Sequence, residues 1–513
     1  MRRLRMDKNQ IVEVTIEDLS REGEGIGHVE GYTLFVKDAV IGDRIRARIT
    51  RPKKNFAYAR TEEILRPSPD RVTPRCPEAR RCGGCTLQAM SYEAQLAFKR
   101  QLVADALHRI GGFDVSISDS DDAGDGSRTL YVRPVLGMEE PFRYRNKAQY
   151  PIAWKTADGA APYPAAGFYA ARTHSLIEVR DCVLTPESFS RIVDTFLAYM
   201  RKYRVSAYDE NTGEGLIRHL LLRKAFSTGE ILVCPVINGE RLPHSDELTT
   251  ALREQHGVCS VCINVNRKKG NAILGDRTIP LFGNPWITDL LGGMSFRISP
   301  RSFYQVNPVQ TEVLYREALR AADLKGDELV YDLYCGIGTI SLYLAQKARV
   351  VYGVEIVPEA IRDAKENAER NGIANAHFYV GAAEQLLAAG EFAPGVPCPR
   401  PDVVVLDPPR KGCDASLIDA VLRLAPDRIV YVSCDPATLA RDLRRFYEGN
   451  ETASYRPSSV QPVEMFSQTV HVESCVLLER VSNRKADSYV KLNVKMADYY
   501  RIKDSAETEN AEE

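Results

Sequence analysis

The last part of the chain alternates between strand, turn and helix. From about Glu328 onward, short runs of β-branched and aromatic residues are each followed by a stretch with helical spacing. This alternation predicts a doubly wound parallel sheet, an α/β fold whose ligands bind at the carboxyl edge of the strands. Two further strand-like runs, 460–466 and 471–478, are expected to add an antiparallel edge. The five predicted parallel strands are 329–333, 350–355, 377–380, 403–406 and 429–432.

Cys434 lies where the fifth of these strands turns into a helix. Asp435 is the predicted N-cap of that helix and Pro436 its first residue. A helix N-terminus favours a thiolate over a thiol, although the neighbouring Asp435 carboxylate opposes this effect. The stretch is consistent with a nucleophilic cysteine and also with a small residue that fills space in the core.

Length and composition describe an ordinary globular protein with room for about three domains. No apolar run approaches membrane-spanning length, and the N-terminus lacks the apolar core of a signal peptide, so a cytoplasmic location is expected. In that compartment the 12 cysteines are expected to be reduced, metal-bound or catalytic. The net charge of -1 argues against indiscriminate binding to nucleic acid, but residues 65–100 carry a local excess of cations.

The N-terminal residues, from about 10 to 64, alternate in the manner of five short strands separated by glycine-rich turns. This pattern predicts a small β-barrel. Its Gly-Glu-Gly-Ile-Gly-His run and its later Val-Ile-Gly-Asp turn resemble the TRAM domain, an OB-like RNA-binding module. The alternative is an SH3-like barrel that binds no RNA.

Three closely spaced cysteines follow the predicted barrel. Cys76, Cys82 and Cys85 lie in one short loop, and the two glycines between the last two let the backbone wrap closely round a cofactor. Three thiolates need a fourth ligand, for which Cys182 is the best candidate. The spacing is compatible with a [4Fe-4S] cluster and with structural zinc. A second pair, Cys259 and Cys262, lies in a predicted strand and is interpreted as structural.

A glycine-rich turn follows the first parallel strand. Gly336 and Gly338 would let a ligand approach the backbone, and Glu355 ends the next strand, where an acid can bind a ribose hydroxyl. The third glycine of the dinucleotide fingerprint is missing, which favours S-adenosyl-L-methionine over NAD. After the fourth strand, Asp407 begins the sequence Asp-Pro-Pro-Arg-Lys-Gly. Its two prolines stiffen the loop, which could then pack rigidly against a flat base; the alternative is a plain turn.

Five motifs in chain order closely resemble one known family. They are Phe303-Tyr-Gln-Val-Asn, Asp332-Leu-Tyr-Cys-Gly-Ile-Gly, Leu406-Asp-Pro-Pro-Arg-Lys-Gly, Ser433-Cys-Asp-Pro-Ala-Thr-Leu-Ala-Arg-Asp and Gln468-Thr-Val-His-Val-Glu-Ser. The family is that of the SAM-dependent RNA uracil-C5-methyltransferases. The best match within it is the bacterial 23S ribosomal RNA branch, which carries a TRAM domain and a [4Fe-4S] cluster. The resemblance spans about residues 8 to 480.

The resemblance implies a role for each candidate residue. Cys434 would be the nucleophile and Glu473 the general base. The family most often has Asn at the position of Asp435, and often Asn at that of Thr339. The implied cofactor contacts are Gln305, Tyr334, Glu355 and Asp407, beside the glycine turn at Gly336 and Gly338, and the implied [4Fe-4S] ligands are Cys76, Cys82, Cys85 and Cys182.

The expected protein is therefore a monomeric α/β enzyme that methylates a uridine of 23S ribosomal RNA at C5 and has no membrane partner. The alternatives are a transfer RNA uracil-C5-methyltransferase and a catalytically inactive RNA-binding assembly factor. The predicted domains are an OB-like TRAM barrel (1–66), a central mixed α/β domain (67–300) with an iron-sulfur loop (75–90), a Rossmann-like methyltransferase domain (301–482) and a disordered acidic tail (483–513).

Overall fold

Three large sheets organise the chain. The computed structural model describes residues 6–117, 129–156 and 161–481, so the predicted acidic tail, 483–513, lies outside the described residues. The three sheets contain six, seven and nine strands, and there are also two small two-stranded sheets. Within the described ranges no helix is both long enough and apolar enough to cross a membrane.

The N-terminal sheet has six strands in the order β1-β5-β6-β4-β3-β2. Inward-facing residues such as Leu34, Ile45 and Ile49 are fully buried, while alternate residues face outward, as expected for a barrel wall. One strand more than predicted is present, because a two-residue segment also pairs. The strands are β1 (Ile11–Thr15), β2 (Asp18–Leu19), β3 (Gly25–Val29), β4 (Tyr32–Lys37), β5 (Arg44–Pro52) and β6 (Phe56–Arg66).

A long helix follows the cysteine loop. Helix α1 (Tyr92–Arg109) begins at Ser91, whose side chain accepts a hydrogen bond from the Ala94 amide, and it buries Val103 and Leu107. Strands β7 (Asp114–Ile117) and β8 (Thr129–Val132) come next and pair in parallel.

The middle of the chain forms the seven-stranded sheet, in the order β11-β10-β9-β12-β13-β14-β15. Its pairs are antiparallel except for β13 with β14. Cys259 and Cys262 lie on β14, as predicted from their alternating surroundings. The elements are β9 (Lys147–Lys155), β10 (Tyr163–Tyr169), β11 (Leu176–Glu178), α2 (Glu187–Tyr203), β12 (Ile217–Lys224), β13 (Ile231–Ile237), α3 (Ser245–Arg253), β14 (Val258–Val265), β15 (Arg277–Phe282), β16 (Ile287–Leu291) and β17 (Met294–Ile298).

The C-terminal part contains all five predicted parallel strands, each bounded within a few residues of its expected ends. Their helices cover both faces and bury two large apolar clusters against the sheet. The elements are α4 (Pro308–Ala322), β18 (Leu329–Asp332), α5 (Thr339–Ala345), β19 (Val350–Glu355), α6 (Pro358–Arg370), β20 (Ala376–Val380), α7 (Ala383–Ala389), β21 (Glu391–Ala393), β22 (Val396–Pro397), β23 (Val403–Leu406), α8 (Ala415–Leu424), β24 (Arg428–Ser433), α9 (Pro436–Glu448), β25 (Tyr455–Val463) and β26 (Glu473–Arg480).

The nine-stranded sheet differs from expectation at one side. Its order is β20-β19-β18-β23-β24-β26-β25-β8-β7, so the predicted antiparallel pair β25 and β26 exists but is not the edge. Strands β7 and β8 continue the sheet beyond β25. Residues 114–117 and 129–132 thus belong to the C-terminal sheet, and the sequential division into 67–300 and 301–482 does not follow the sheets.

Candidate active site

The two predicted catalytic residues lie side by side at the end of a strand pair. Strands β24 and β26 are antiparallel, and Ser433 pairs with Ser474. The next residue along β24 is Cys434 and the preceding residue of β26 is Glu473, so these two face one another at the carboxyl edge of the sheet. The strand-to-helix turn after Cys434 forms as predicted, because Asp435 accepts hydrogen bonds from the amides of Ala437 and Thr438.

Glu473 is a buried carboxyl group whose hydrogen bonds are incomplete. Its side chain is 4% exposed, and its Oε2 atom has no hydrogen-bond partner among the described residues. Burial, and then the charge of Asp407, raises the pKa of Glu473 to about 8, while Arg410 acts in the opposite direction. An unpartnered buried carboxyl with a pKa near neutrality is suited to exchanging a proton with a bound substrate.

Cys434 is half-buried, and its surroundings favour the neutral thiol over the thiolate. Burial raises its pKa to about 12, and Glu473 and Asp407 add to the increase, whereas Arg410 lowers it. These effects therefore outweigh the helix N-terminus, which was expected to favour the thiolate. A positive charge brought into the site would lower the pKa of Cys434.

Two more acids lie at the ends of neighbouring strands. Asp332 ends β18 and accepts a 2.5 Å hydrogen bond from Ser341 Oγ, but its other carboxyl oxygen has no partner among the described residues. Burial raises the pKa of Asp332 to about 6. Asp407 follows β23, and burial together with Asp332 raises its pKa to about 7. The sheet edge thus concentrates carboxyl groups that would be stabilised by a cationic ligand.

Five of the predicted cofactor residues, all except Gln305, lie at the same edge, at or just after the ends of β18, β19 and β23. Gly336 and Gly338 both have positive φ angles, 53° and 82°, and a Cβ at Gly338 would come within 3.0 Å of Phe378. Glu355 ends β19, and its Oε1 accepts a hydrogen bond from the Val357 amide. The half-buried Tyr334 lies between Asp332 and the glycine turn.

Apolar side chains are exposed directly after Glu355 and also near Gln305. Ile356 and Val357, directly after Glu355, are 66% and 44% exposed, and Phe303 is 68% exposed. Gln305 lies two residues after Phe303, and its carbonyl accepts a hydrogen bond from Asn146. Apolar surface beside an acid at the end of a strand suits a flat ring that also carries polar groups.

The four predicted cluster cysteines share one cavity. Cys76, Cys82, Cys85 and Cys182 line a cavity of about 200 Å³ together with the partly buried Arg145 and Lys147. Within the described ranges, no group of three or more His, Cys, Asp or Glu side chains is arranged to hold a metal ion. The cavity suits a larger anionic group: Arg145 lines it, and the buried Nε of Arg145 has no acceptor in the described structure. A [4Fe-4S] cluster held by four thiolates is such an anion.

The structure adds a segment that the sequence analysis did not single out. Residues 464–472, which lead into Glu473, are attached to the cysteine loop and to α1. The Gln468 carbonyl accepts hydrogen bonds from the amides of Thr86 and Leu87, and its amide nitrogen donates to Gln95 Oε1. Gln468 has a φ of 69°, in the left-handed region that residues other than glycine adopt less often. The sequence signal for this segment is the motif Gln468-Thr-Val-His-Val-Glu-Ser, which begins at Gln468.

These features define a class of protein. A doubly wound sheet with a glycine turn after its first strand and an acid ending the second is the fold of the SAM-dependent methyltransferases, here combined with an N-terminal TRAM domain. The TRAM domain family matches residues 6–61, and the family described as tRNA (Uracil-5-)-methyltransferase matches residues 292–481.

Relatives and a solved structure narrow the class to a family. An uncharacterized RNA methyltransferase of Halalkalibacterium halodurans is 46% identical over 475 residues, covering 92% of this chain and 98% of the relative, and one of Clostridium tetani is 45% identical over 479 residues, covering 93% and 98%. The structure of Pyrococcus abyssi tRNA (uracil-54, C5)-methyltransferase in complex with S-adenosyl-L-homocysteine matches with a TM-score of 0.68 and 26% identity, covering 91% of this chain and 100% of that one. The chain belongs to the family of SAM-dependent RNA uracil-C5-methyltransferases and is an enzyme of that activity.

Proposed function

We propose that this enzyme methylates C5 of a specific uridine in 23S ribosomal RNA, with Cys434 as the nucleophile and Glu473 as the general base. The single observation that carries the mechanism is the pairing of β24 with β26, which sets these two side chains next to each other at the carboxyl edge of the sheet. The ribosomal target rests on the resemblance of the five motifs and the cysteine loop to the 23S branch of the family.

The chemistry requires both residues because C5 of uracil is a weak nucleophile. The Cys434 thiolate adds to C6 and forms a carbon-sulfur bond, which turns the ring into an enolate and makes C5 nucleophilic. C5 then takes the methyl group. Glu473 removes the C5 proton, and the electron pair left behind expels the Cys434 thiolate from C6, which restores the ring and the free enzyme.

S-adenosyl-L-methionine supplies an electrophilic methyl group when it is bound. Tyr334, Glu355, Asp407 and the turn at Gly336 and Gly338, which lie at the carboxyl edge of the sheet, would hold it, and the family resemblance adds Gln305 to this set. Arg410 favours the thiolate, since its charge lowers the pKa of Cys434. The target base must leave its RNA stack to reach Cys434, at a cost of a few kcal/mol.

The cavity lined by Cys76, Cys82, Cys85 and Cys182 is proposed to hold a [4Fe-4S] cluster. We assign the cluster a structural and RNA-positioning role. Cys85 directly precedes Thr86, whose amide donates to Gln468, so the cysteine loop is linked to the segment that leads into Glu473. Cys182→Ala is therefore expected to lower the iron and sulfide content of anaerobically purified protein. An unchanged content would exclude Cys182 as a ligand.

The deciding experiment measures methyl transfer from labelled S-adenosyl-L-methionine to unmodified 23S ribosomal RNA and transfer RNA in parallel, with nucleoside digestion to identify the product. Anaerobically purified wild type is expected to form 5-methyluridine in ribosomal RNA, and Cys434→Ala to form none. Cys398→Ala is the matched control, because Cys398 is a half-buried cysteine of the same sheet region with no assigned role. Glu473→Gln should accumulate a covalent protein-RNA adduct, since the C5 proton then has no acceptor. Full activity of Cys434→Ala would refute the mechanism.

Transfer RNA is the second candidate substrate. The Pyrococcus abyssi structure that matches this chain is that of an enzyme named for uracil 54 of transfer RNA, and the matching family description also names transfer RNA. Formation of 5-methyluridine in transfer RNA but not in ribosomal RNA would replace the first proposal with this one.

A further inference from the structure

Three aromatic rings form a cluster on the outer face of the N-terminal barrel. Phe35 on β4 and Tyr58 on β6 are directly opposite each other in the parallel pairing of these strands, and Phe56 is two residues before Tyr58. The ring centroids are 5.6 to 5.8 Å apart, and all three side chains are partly exposed. The buried residues of β4 and β6 alternate with these rings, so the barrel core does not require them. An exposed aromatic cluster of this kind is a surface on which unpaired bases can stack.

Cations lie next to the aromatic cluster. Arg51 lies near the end of β5, opposite Tyr58 in the strand pairing, and Lys53 and Lys54 follow in the turn before Phe56; all three are exposed. Their side chains form no ion pair within the part of the chain that the structure describes. Other arginines of the same strand are neutralised by neighbouring glutamates. These paired residues are Arg44, Arg46 and Arg48, which contact Glu13, Glu63 and Glu62, respectively.

The N-terminal domain that carries the aromatic cluster contacts the catalytic turn. Arg21, between β2 and β3, forms a 2.8 Å ion pair with Asp435, the residue after the proposed nucleophile. The neighbouring Glu22 accepts a hydrogen bond from Arg172. The domain is thus held beside the catalytic edge through adjacent surface residues.

We propose that Phe35, Phe56 and Tyr58 form a stacking platform for single-stranded RNA that flanks the target uridine, with Arg51, Lys53 and Lys54 contacting its phosphates. The occupant is RNA because the enzyme acts on RNA and because exposed rings bordered by unpaired cations match the faces of bases and the charge of the backbone. This proposal depends on the RNA methyltransferase activity, but it does not depend on whether the target is ribosomal or transfer RNA. Stacking there holds the RNA both before and after the target base leaves its stack, so it raises the affinity for RNA rather than the rate of the bound complex.

The test uses the full-length enzyme and a fluorescein-labelled oligouridylate, followed by fluorescence anisotropy. Phe35→Leu and Tyr58→Leu keep an apolar side chain but remove the ring, and each is expected to weaken binding roughly five- to hundredfold. Tyr58→Phe retains the ring and should bind like wild type. Ile11→Ala is the matched control, since Ile11 is an apolar residue of β1, 47% exposed, on the same domain. In methyl transfer, the leucine variants should raise KM for RNA while kcat at saturating RNA stays unchanged.

Salt dependence separates the two kinds of contact. The leucine variants should shift the dissociation constant equally at every salt concentration, whereas Lys53→Ala should reduce the slope of log K against log salt by roughly 0.7, the value for one phosphate contact on a single strand. Wild-type affinity in both leucine variants, with wild-type enzyme still methylating RNA, would overturn the platform without touching the proposed function. If the leucine variants kept their affinity for RNA but bound assembled ribosomal particles more weakly, the aromatic cluster would be a protein-binding surface. That result would equally overturn the RNA platform.

Discussion

A fully buried ion pair holds α1 against the segment that leads into Glu473. Lys99 Nζ lies 2.7 and 2.6 Å from the two carboxyl oxygens of Glu464, and both side chains have no exposed surface. Lys99 also donates to the Phe466 carbonyl, while a Glu464 oxygen accepts from the Phe466 amide. Burial lowers the pKa of Lys99 and raises that of Glu464, so each charge depends on the other for its stability inside the protein.

Lys99→Met should therefore be strongly destabilising. It keeps the apolar stem but leaves Glu464 as an uncompensated buried acid, and breaking such a pair costs about 3 to 5 kcal/mol. Adding Glu464→Gln removes the uncompensated charge and preserves an acceptor for the Phe466 amide, so the double variant should recover at least half of this loss. The deficit of the single variant should also shrink as the pH is lowered, because Glu464 then becomes neutral. We expect kcat to fall along with stability, because the segment positions Glu473.

Urea unfolding followed by circular dichroism measures these changes, with methyl transfer assayed in parallel. Arg44→Met is the matched control, since its ion pair with Glu13 is about half exposed and should contribute about 0 to 1 kcal/mol. A loss below about 1 kcal/mol for Lys99→Met, or a double variant no more stable than the single one, would refute the interpretation of Lys99 and Glu464 as a mutually dependent buried pair.

Three further predictions concern the active-site charges. Glu473→Gln should stabilise the enzyme at about pH 9 by up to about 4 to 5 kcal/mol. The reason is that the pKa of Glu473 is about 8 in the folded protein and ordinarily 4.5, so the stability linked to the neutral carboxyl is lost as pH rises through 8. Equal melting temperatures of wild type and variant at about pH 9 would contradict this. The affinity for the cationic S-adenosyl-L-methionine, measured by calorimetry, should increase between about pH 6 and 8 as Asp332, Asp407 and Glu473 ionise. The affinity for S-adenosyl-L-homocysteine, whose sulfur is neutral, should increase much less. Parallel pH profiles of the two affinities would contradict this prediction. Arg21→Ala should lower kcat and weaken RNA binding several-fold, because it leaves the Asp435 carboxylate without its ion-pair partner. Adding Asp435→Asn removes that carboxylate and should restore kcat. No recovery of kcat in the double variant would exclude the Asp435 charge as the cause.

The parallel strands were predictable from sequence because each is a short run buried on both faces between helices. The arrangement beyond β25 was not, because β7 and β8 join a sheet whose other strands begin two hundred residues later in the chain. Local periodicity carries no information about such a distant partner. For the same reason the pattern of the central region gave no order for its seven strands.

The candidate site was predictable in its residue types but not in its electrostatics. Motifs placed Cys434, Glu473 and Asp407 at one edge, and the strand register puts the first two side by side. The helix N-terminus suggested an easily ionised thiol, whereas burial and two carboxyl groups raise its pKa instead. Desolvation depends on every element packed round a group, so it cannot be read from the flanking residues alone.

The contact between Arg21 and Asp435 concerns the position at which the resemblance implies Asn most often. An aspartate at the N-cap of α9 keeps the capping hydrogen bonds that Asn would also make, but it adds a negative charge next to Cys434, the proposed nucleophile. Arg21, from the turn between β2 and β3, contacts the carboxyl oxygen that does not cap the helix. The neutralising charge thus comes from the TRAM domain, which also carries the proposed RNA platform. On the proposed mechanism, docking of that domain against the catalytic turn would therefore link RNA binding to the charge next to Cys434, whereas with Asn at this position that link would be absent.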